Sequence, residues 1–189
     1  MPGGHLATSL ALSGVTYATT GSAEAATGSF IGGFLIDVDH YVDYLVFERQ
    51  WRRPGPVDFL RYYFTNRPRR LVLPLHSAEF MAVLVVVLLV RPWPLIVGYW
   101  LGALMHLVFD VVVNGDYTLR RPVLFYFFMY RAAHGFQAET LLDPPPDIVV
   151  HAPVRDFFRW RPLEAGGARG SNPENAVEDG PVSVPAGEP

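Results

Sequence analysis

Residues 32–45 read GGFLIDVDHYVDYL, and the fold turns on why three aspartates and a histidine interrupt an apolar run of helix length. Asp37, Asp39, His40 and Asp43 are interleaved there with Phe34, Leu35, Ile36, Val38, Val42 and Leu45. An unpaired carboxylate inside such a segment costs several kcal/mol to bury. A cluster of them therefore requires a compensating positive charge.

The surrounding composition narrows what can supply that charge. The 189 residues suffice for one domain with a core, half of them are hydrophobic and only 17% are charged. Positive mean hydropathy points to membrane association. There is no cysteine, which excludes disulfides, thiolate zinc sites and a cysteine nucleophile. Any metal must be held by His, Asp and Glu. Every basic residue is Arg, so lysine Schiff-base and Walker-type chemistries are excluded as well. Seven arginines fall within residues 49–70, whereas the chain after Arg169 carries only acidic charges. Beside long apolar segments, the arginine run suits membrane lipid or topology, and no nucleic-acid partner is expected.

Outward from the opening stretch, the pattern predicts an all-α protein: an antiparallel helical bundle with several membrane-embedded helices. Its domain covers residues 1–161, followed by a disordered Gly/Pro-rich acidic tail over 162–189. The expected helical segments are about 6–20, 28–47, 71–90 and 94–114, with an aromatic amphipathic segment over PVLFYFFMYRAAHGF. Segments 71–90 and 94–114 approach the roughly 20 residues needed to span a bilayer. No basic region precedes the first apolar segment, so no cleaved signal peptide is expected. Counting arginines in the connections, the positive-inside rule places residues 49–70 and Arg120–Arg121 on the cytoplasmic side of an inner membrane.

In an up-down-up-down arrangement the unusual polar residues reach one level. His5 lies near the start of the first segment, and Asp37, Asp39, His40 and Asp43 lie late in the second. His76 and Glu79 lie early in the third, and His106 and Asp110 late in the fourth. Within segments they pair at i,i+3 or i,i+4, which puts each pair on one helix face, as in bundles that present paired ligands to an internal metal. Bland alternatives are a hydrogen-bonded HxxxD pair at His106 and Asp110, a frayed His5, a solvent-facing Asp43 and a Glu79 paired with an arginine. His134 and His151 have no acidic partner at helical spacing and are expected to be ordinary surface or interface residues.

The early His, DVDH, LHSAEF and HLVFD resemble the YdjM-like membrane-bound metal-dependent hydrolases, an inner-membrane-associated group, over about residues 5–114. The ligand types are remotely similar to those of zinc-dependent phospholipase C. The resemblance implies metal roles for His5, Asp37, Asp39, His40, His76, His106 and Asp110. It further implies hydrolysis, and the arginine distribution places the site towards the cytoplasmic face. From the chemistry of the ligands, one or two ions of Zn²⁺ are expected, with Mn²⁺ or Fe as alternatives. The expected substrate is a phosphoester, including that of a lipid. Asp37 is expected to matter for catalysis, and Glu79 or Asp43 to act as general base, with Arg69 and Arg70 as phosphate holders. The rival reading is a non-catalytic membrane protein whose cluster only fixes the bundle or supports a partner. Ion transport is disfavoured because the outer halves of the third and fourth segments are almost purely apolar.

Overall fold

The computed structural model describes residues 2–65, 68–114 and 119–143. Residues 162–189 and His151, for which a disordered tail and an ordinary surface role are expected, lie outside them. The described residues are mainly helical and form no strand. Their only ladder pairings are isolated bridges, Arg70 with Gln137 and Leu119 with Leu142.

Helix α1 (Pro2–Thr20) and α2 (Ala23–Phe34) form a tight hairpin. Gly21, at φ 66, makes the turn, a conformation a side chain would resist. The Ser22 hydroxyl then caps α2 by accepting the Ala25 N–H at 3.2 Å. Segment 28–47 is not one continuous helix. It passes through a 3₁₀ turn at Leu35–Asp37 and resumes as α3 (Val38–Val46), so the first aspartate sits at a break in the helical ladder. Such interruptions often mark functional positions.

The connection after α3 holds a helix the sequence reading lacked, α4 (Pro56–Thr65). Residues 71–77 are also non-helical, contrary to the expected start of a helix at 71. Leu73 takes φ 43 and is followed by Pro74, which has no N–H to give a ladder. Ser77 caps the following helix by accepting the Phe80 N–H at 3.2 Å, so α5 spans only Ala78–Val90. His76 and Glu79 therefore do not share a helix face. Helix α6 (Pro94–Asn114) follows the RPWP turn, and the short helices α7 (Pro122–Phe125), α8 (Phe128–Ala133) and α9 (Ala138–Leu141) close over one end.

Glycines draw α2 and α6 together. A Cβ on Gly28 or Gly32 would lie 2.1 Å from the carbonyl oxygen of Leu95 or Tyr99. Reciprocally, one on Gly98 or Gly102 would lie 1.9 or 2.1 Å from that of Ala25 or Ser29. Both helices thus carry a glycine every fourth residue at their contact, the pattern by which membrane helices bring backbones together. The α2 glycines meet α6 residues in the same order along the chain, so these two helices run parallel. Helices α1 and α5 run opposite to them.

The stretch Pro94–Val112 is long and apolar enough to cross a membrane. Only 28% of it is buried, unlike the core helix of a soluble protein. Among the described residues no other helix passes that test. At 13 residues, α5 reaches roughly 20 Å, short of the roughly 30 Å hydrocarbon core. Its outer face is nonetheless bare, with Val83, Val86, Leu89 and Val90 all exposed.

Candidate metal centre

The ends of these elements converge below α7 and α8. His5 comes from the first turns of α1, Asp37 from the 3₁₀ turn, and Asp39 and His40 from the first turn of α3. His76 comes from the 71–77 segment, and His106 and Asp110 from late α6. All seven expected metal residues are thus gathered at one end of the bundle. His5, Asp39, His76, His106 and Asp110 are buried; Asp37 and His40 are partly exposed.

Two imidazole nitrogens and an Asp37 oxygen face a common point, with an Asp110 oxygen beside them. His76 Nε2 lies 3.1 Å from His106 Nε2. Asp37 Oδ1 lies 3.3 Å from His76 Nε2 and 3.4 Å from His106 Nε2. Asp110 Oδ2 lies 3.4 Å from His106 Nε2 and 3.8 Å from His76 Nε2. Ligands about 2.0–2.1 Å from a tetrahedral zinc would stand about 3.3–3.4 Å apart, so His76, His106 and Asp37 have the spacing of a coordination shell, and Asp110 approaches it from the His106 side.

The outer ring nitrogens fix the tautomers. His106 Nδ1 faces the Gly33 carbonyl at 2.7 Å, and His76 Nδ1 faces the Asp39 carboxylate at 2.9 and 3.0 Å. Both Nδ1 atoms face acceptors and must carry the hydrogens. Neutral rings then point two Nε2 lone pairs at each other and at two carboxylates. Those groups repel unless protons or a cation lie between them, and an ordered histidine–carboxylate contact behind a ring is typical of metal sites. Three overlapping sets here can hold a metal ion: Asp37 with His76 and His106, His5 with His106 and Asp110, and Asp39 with His40 and His76.

The remaining members surround this core. His5 Nε2 lies 3.1 Å from Asp110 Oδ1, and its ring stacks on His106 with centroids 3.9 Å apart. Asp110 therefore directs one oxygen to His5 and the other to His106 Nε2. His40 Nε2 lies 3.8 Å from Asp37 Oδ1 on the more open side.

Two carboxylates act on the backbone. Asp39 Oδ2 accepts the N–H groups of Leu75 and His76 at 3.1 and 3.3 Å, besides holding the His76 ring. One turn later, Asp43 Oδ2 accepts those of Val72 and Leu73 at 2.7 and 3.3 Å. Asp43 is buried rather than solvent-facing, because the non-helical 71–77 segment has backbone donors to satisfy. Glu79 stands apart from the cluster. Its carboxylate accepts the Phe128 and Met129 N–H groups at 2.8 and 3.1 Å, anchoring the start of α8. His134 also keeps away, its Nδ1 donating to the Tyr130 carbonyl at 2.8 Å.

Two contributors escaped the sequence reading. Arg131 of α8 is fully buried and donates to the carbonyls of His76 and Phe125, each at 3.0 Å, and of Leu73 at 2.8 Å. Burial pulls its pKa down to about 10, against the pull of Asp39, Glu79 and Asp43. Tyr126 is buried, and burial together with the negative charge of Asp110 pushes its hydroxyl pKa up. Neither has a motif. An arginine in an apolar aromatic run was the one available signal. Comparison with family models, with curated proteins and with solved structures finds no match for this chain.

Proposed function

We propose that this is a membrane-bound metal-dependent hydrolase of the inner membrane, acting on a phosphoester, and that its ion is Zn²⁺. The observation that carries the reading is the convergence of two imidazole nitrogens and the Asp37 oxygen at coordination spacing, with an Asp110 oxygen beside His106 and both imidazoles held from behind. Nitrogen and oxygen donors without thiolate suit zinc in a catalytic role. Such an ion, when bound, supplies Lewis-acid activation of water and of a phosphoryl oxygen.

This chain's residues divide the remaining work. His76, His106, Asp37 and Asp110 hold the ion; Asp39 and the Gly33 carbonyl orient the rings. Substrate approaches past Asp37, whose side chain is 33% exposed while those of His76 and His106 are 1% and 0%. His40 lies on the same side, placed to accept or return a proton at Nε2. Glu79 is engaged with α8 and takes no part. Membrane placement rests on α6, on the bare apolar face of α5 and on the glycine contact between α2 and α6. The arginine distribution favours the cytoplasmic side for the site.

Turnover of a phosphoester panel by wild type and Asp37→Asn, with thermal unfolding alongside, tests this. The substitution keeps size and polarity but removes a charge, so activity is expected to fall by orders of magnitude while the fold survives. Equal turnover in both proteins, or none in metal-loaded wild type, leaves the cluster as a structural fastening only.

A further inference from the structure

At the opposite end of α3 from the metal ligands, an open cavity of about 840 Å³ is lined by Arg49, Arg69, Arg70, Tyr62, Glu48 and neighbouring residues. Val46 on the cavity rim is the ninth residue after Asp37, roughly 13 Å along α3 at helical rise. The cavity is thus a second place in the molecule. It does not bring Arg69 and Arg70 to the metal centre as phosphate holders.

Its charge is unbalanced. Among the described residues, none of the three guanidinium groups has a carboxylate within ion-pair distance. Glu48 is the acidic residue of the lining, and both its oxygens are in use. Oε1 accepts the backbone N–H groups of Arg69 and Arg70, and Oε2 accepts the Tyr62 hydroxyl at 2.5 Å. Glu48 therefore shapes the wall by fastening residues 69–70 to the end of α3. Arg49 takes φ 55, a backbone conformation unfavourable for a residue with a long side chain. The strained residue is one of those that bring a guanidinium to the cavity. Immediately beside it, Val46, Phe47 and Trp51 are exposed at 60%, 39% and 62%. Apolar and indole side chains beside arginines characterise segments lying at a lipid headgroup layer.

We propose that this cavity binds the phosphate of an anionic phospholipid headgroup, with Arg49, Arg69 and Arg70 as the binding groups. The inference rests on the membrane placement proposed above and not on the metal centre. Guanidinium groups match phosphate oxygens in geometry and in charge, and the volume lies in the range of small-molecule sites. The occupant is a lipid rather than free phosphate because the rim is apolar on the Val46 and Phe47 side, where an acyl chain would lie.

The test is native mass spectrometry of the full-length protein in detergent, titrated with phosphatidylglycerol, phosphatidylcholine or inorganic phosphate, with metal content measured on each sample. Phosphatidylglycerol should bind at least about tenfold more tightly than phosphatidylcholine. The Arg49→Gln, Arg69→Gln, Arg70→Gln triple variant should lose that preference while keeping its metal. Arg52→Gln with Arg53→Gln, which removes charge outside the lining, should retain it. Arg49→Gly removes the same guanidinium but relieves the backbone, so it should weaken binding without loss of folding. Equal retention of the two lipids, retention by the triple variant, equal loss in the Arg52/Arg53 variant, or inorganic phosphate binding as tightly as the lipid would each overturn the proposal. Loss of metal from wild type would count against the hydrolase reading and leave this one standing.

Discussion

A single buried arginine sets the geometry of the proposed centre more than its sequence position suggests. His76 is not on a helix, and its local backbone support is one turn bond, from its N–H to the Leu73 carbonyl at 3.1 Å. Three more groups hold the segment: the Asp39 and Asp43 carboxylates and the Arg131 guanidinium. Arg131→Met preserves bulk but strands the His76 and Phe125 carbonyls and leaves that of Leu73 only the His76 N–H, and should destabilise the protein by about 3 kcal/mol or more. It should also weaken metal binding at temperatures where the variant remains folded, measured by competition with a chelator. Unchanged metal affinity in the folded variant would show that the 71–77 segment holds His76 unaided. At this scale the sequence was informative about donors and poor about roles. The intervals between His5, Asp37, His106 and Asp110 pointed to one level because helix ends are countable. The bonding partners of Glu79, two N–H groups of α8, were not readable because they lie 49 and 50 residues away.

Among elements, the contact between α2 and α6 positions both Gly33, whose carbonyl orients His106, and His106 itself. It tolerates no side chain. Gly102→Ala puts a methyl 2.1 Å from the Ser29 carbonyl oxygen and should cost about 3 kcal/mol, the upper end for overpacking. Gly14→Ala in α1 meets nothing within 4 Å and should be neutral or stabilise by about 0.5–1 kcal/mol. Thermal unfolding of the two variants checks the pair, and similar behaviour would contradict the close packing of α2 on α6. Helix existence was legible here from apolar runs of sufficient length. Interruptions were less so. The break at Leu35–Asp37 contains no proline or glycine, and the late start of α5 follows from Pro74 and the Ser77 cap, both hidden within an apolar run. The short α7, α8 and α9 depend on tertiary contacts such as the Glu79 anchor, which no local pattern encodes.

For the molecule as a whole, the all-helical class was readable from composition and period, whereas the number of spanning helices was not. Apolar length counts residues without showing which are helical, and α5 lost its first seven expected residues to the segment carrying His76. Orientation is open to direct measurement because the chain has no cysteine. A cysteine at Arg52, which is exposed in the α3–α4 connection, should resist a membrane-impermeant thiol reagent in intact cells and react after lysis. Ready labelling of intact cells would put the metal centre on the outer side. The central claim is that the buried histidines and aspartates are held together by an ion. Elemental analysis of the detergent-purified protein tests it most directly. A stoichiometric divalent metal is expected, largely lost from the His106→Ala, Asp110→Ala variant. A well-folded wild type that contains no metal, and takes none up when it is supplied, would contradict it.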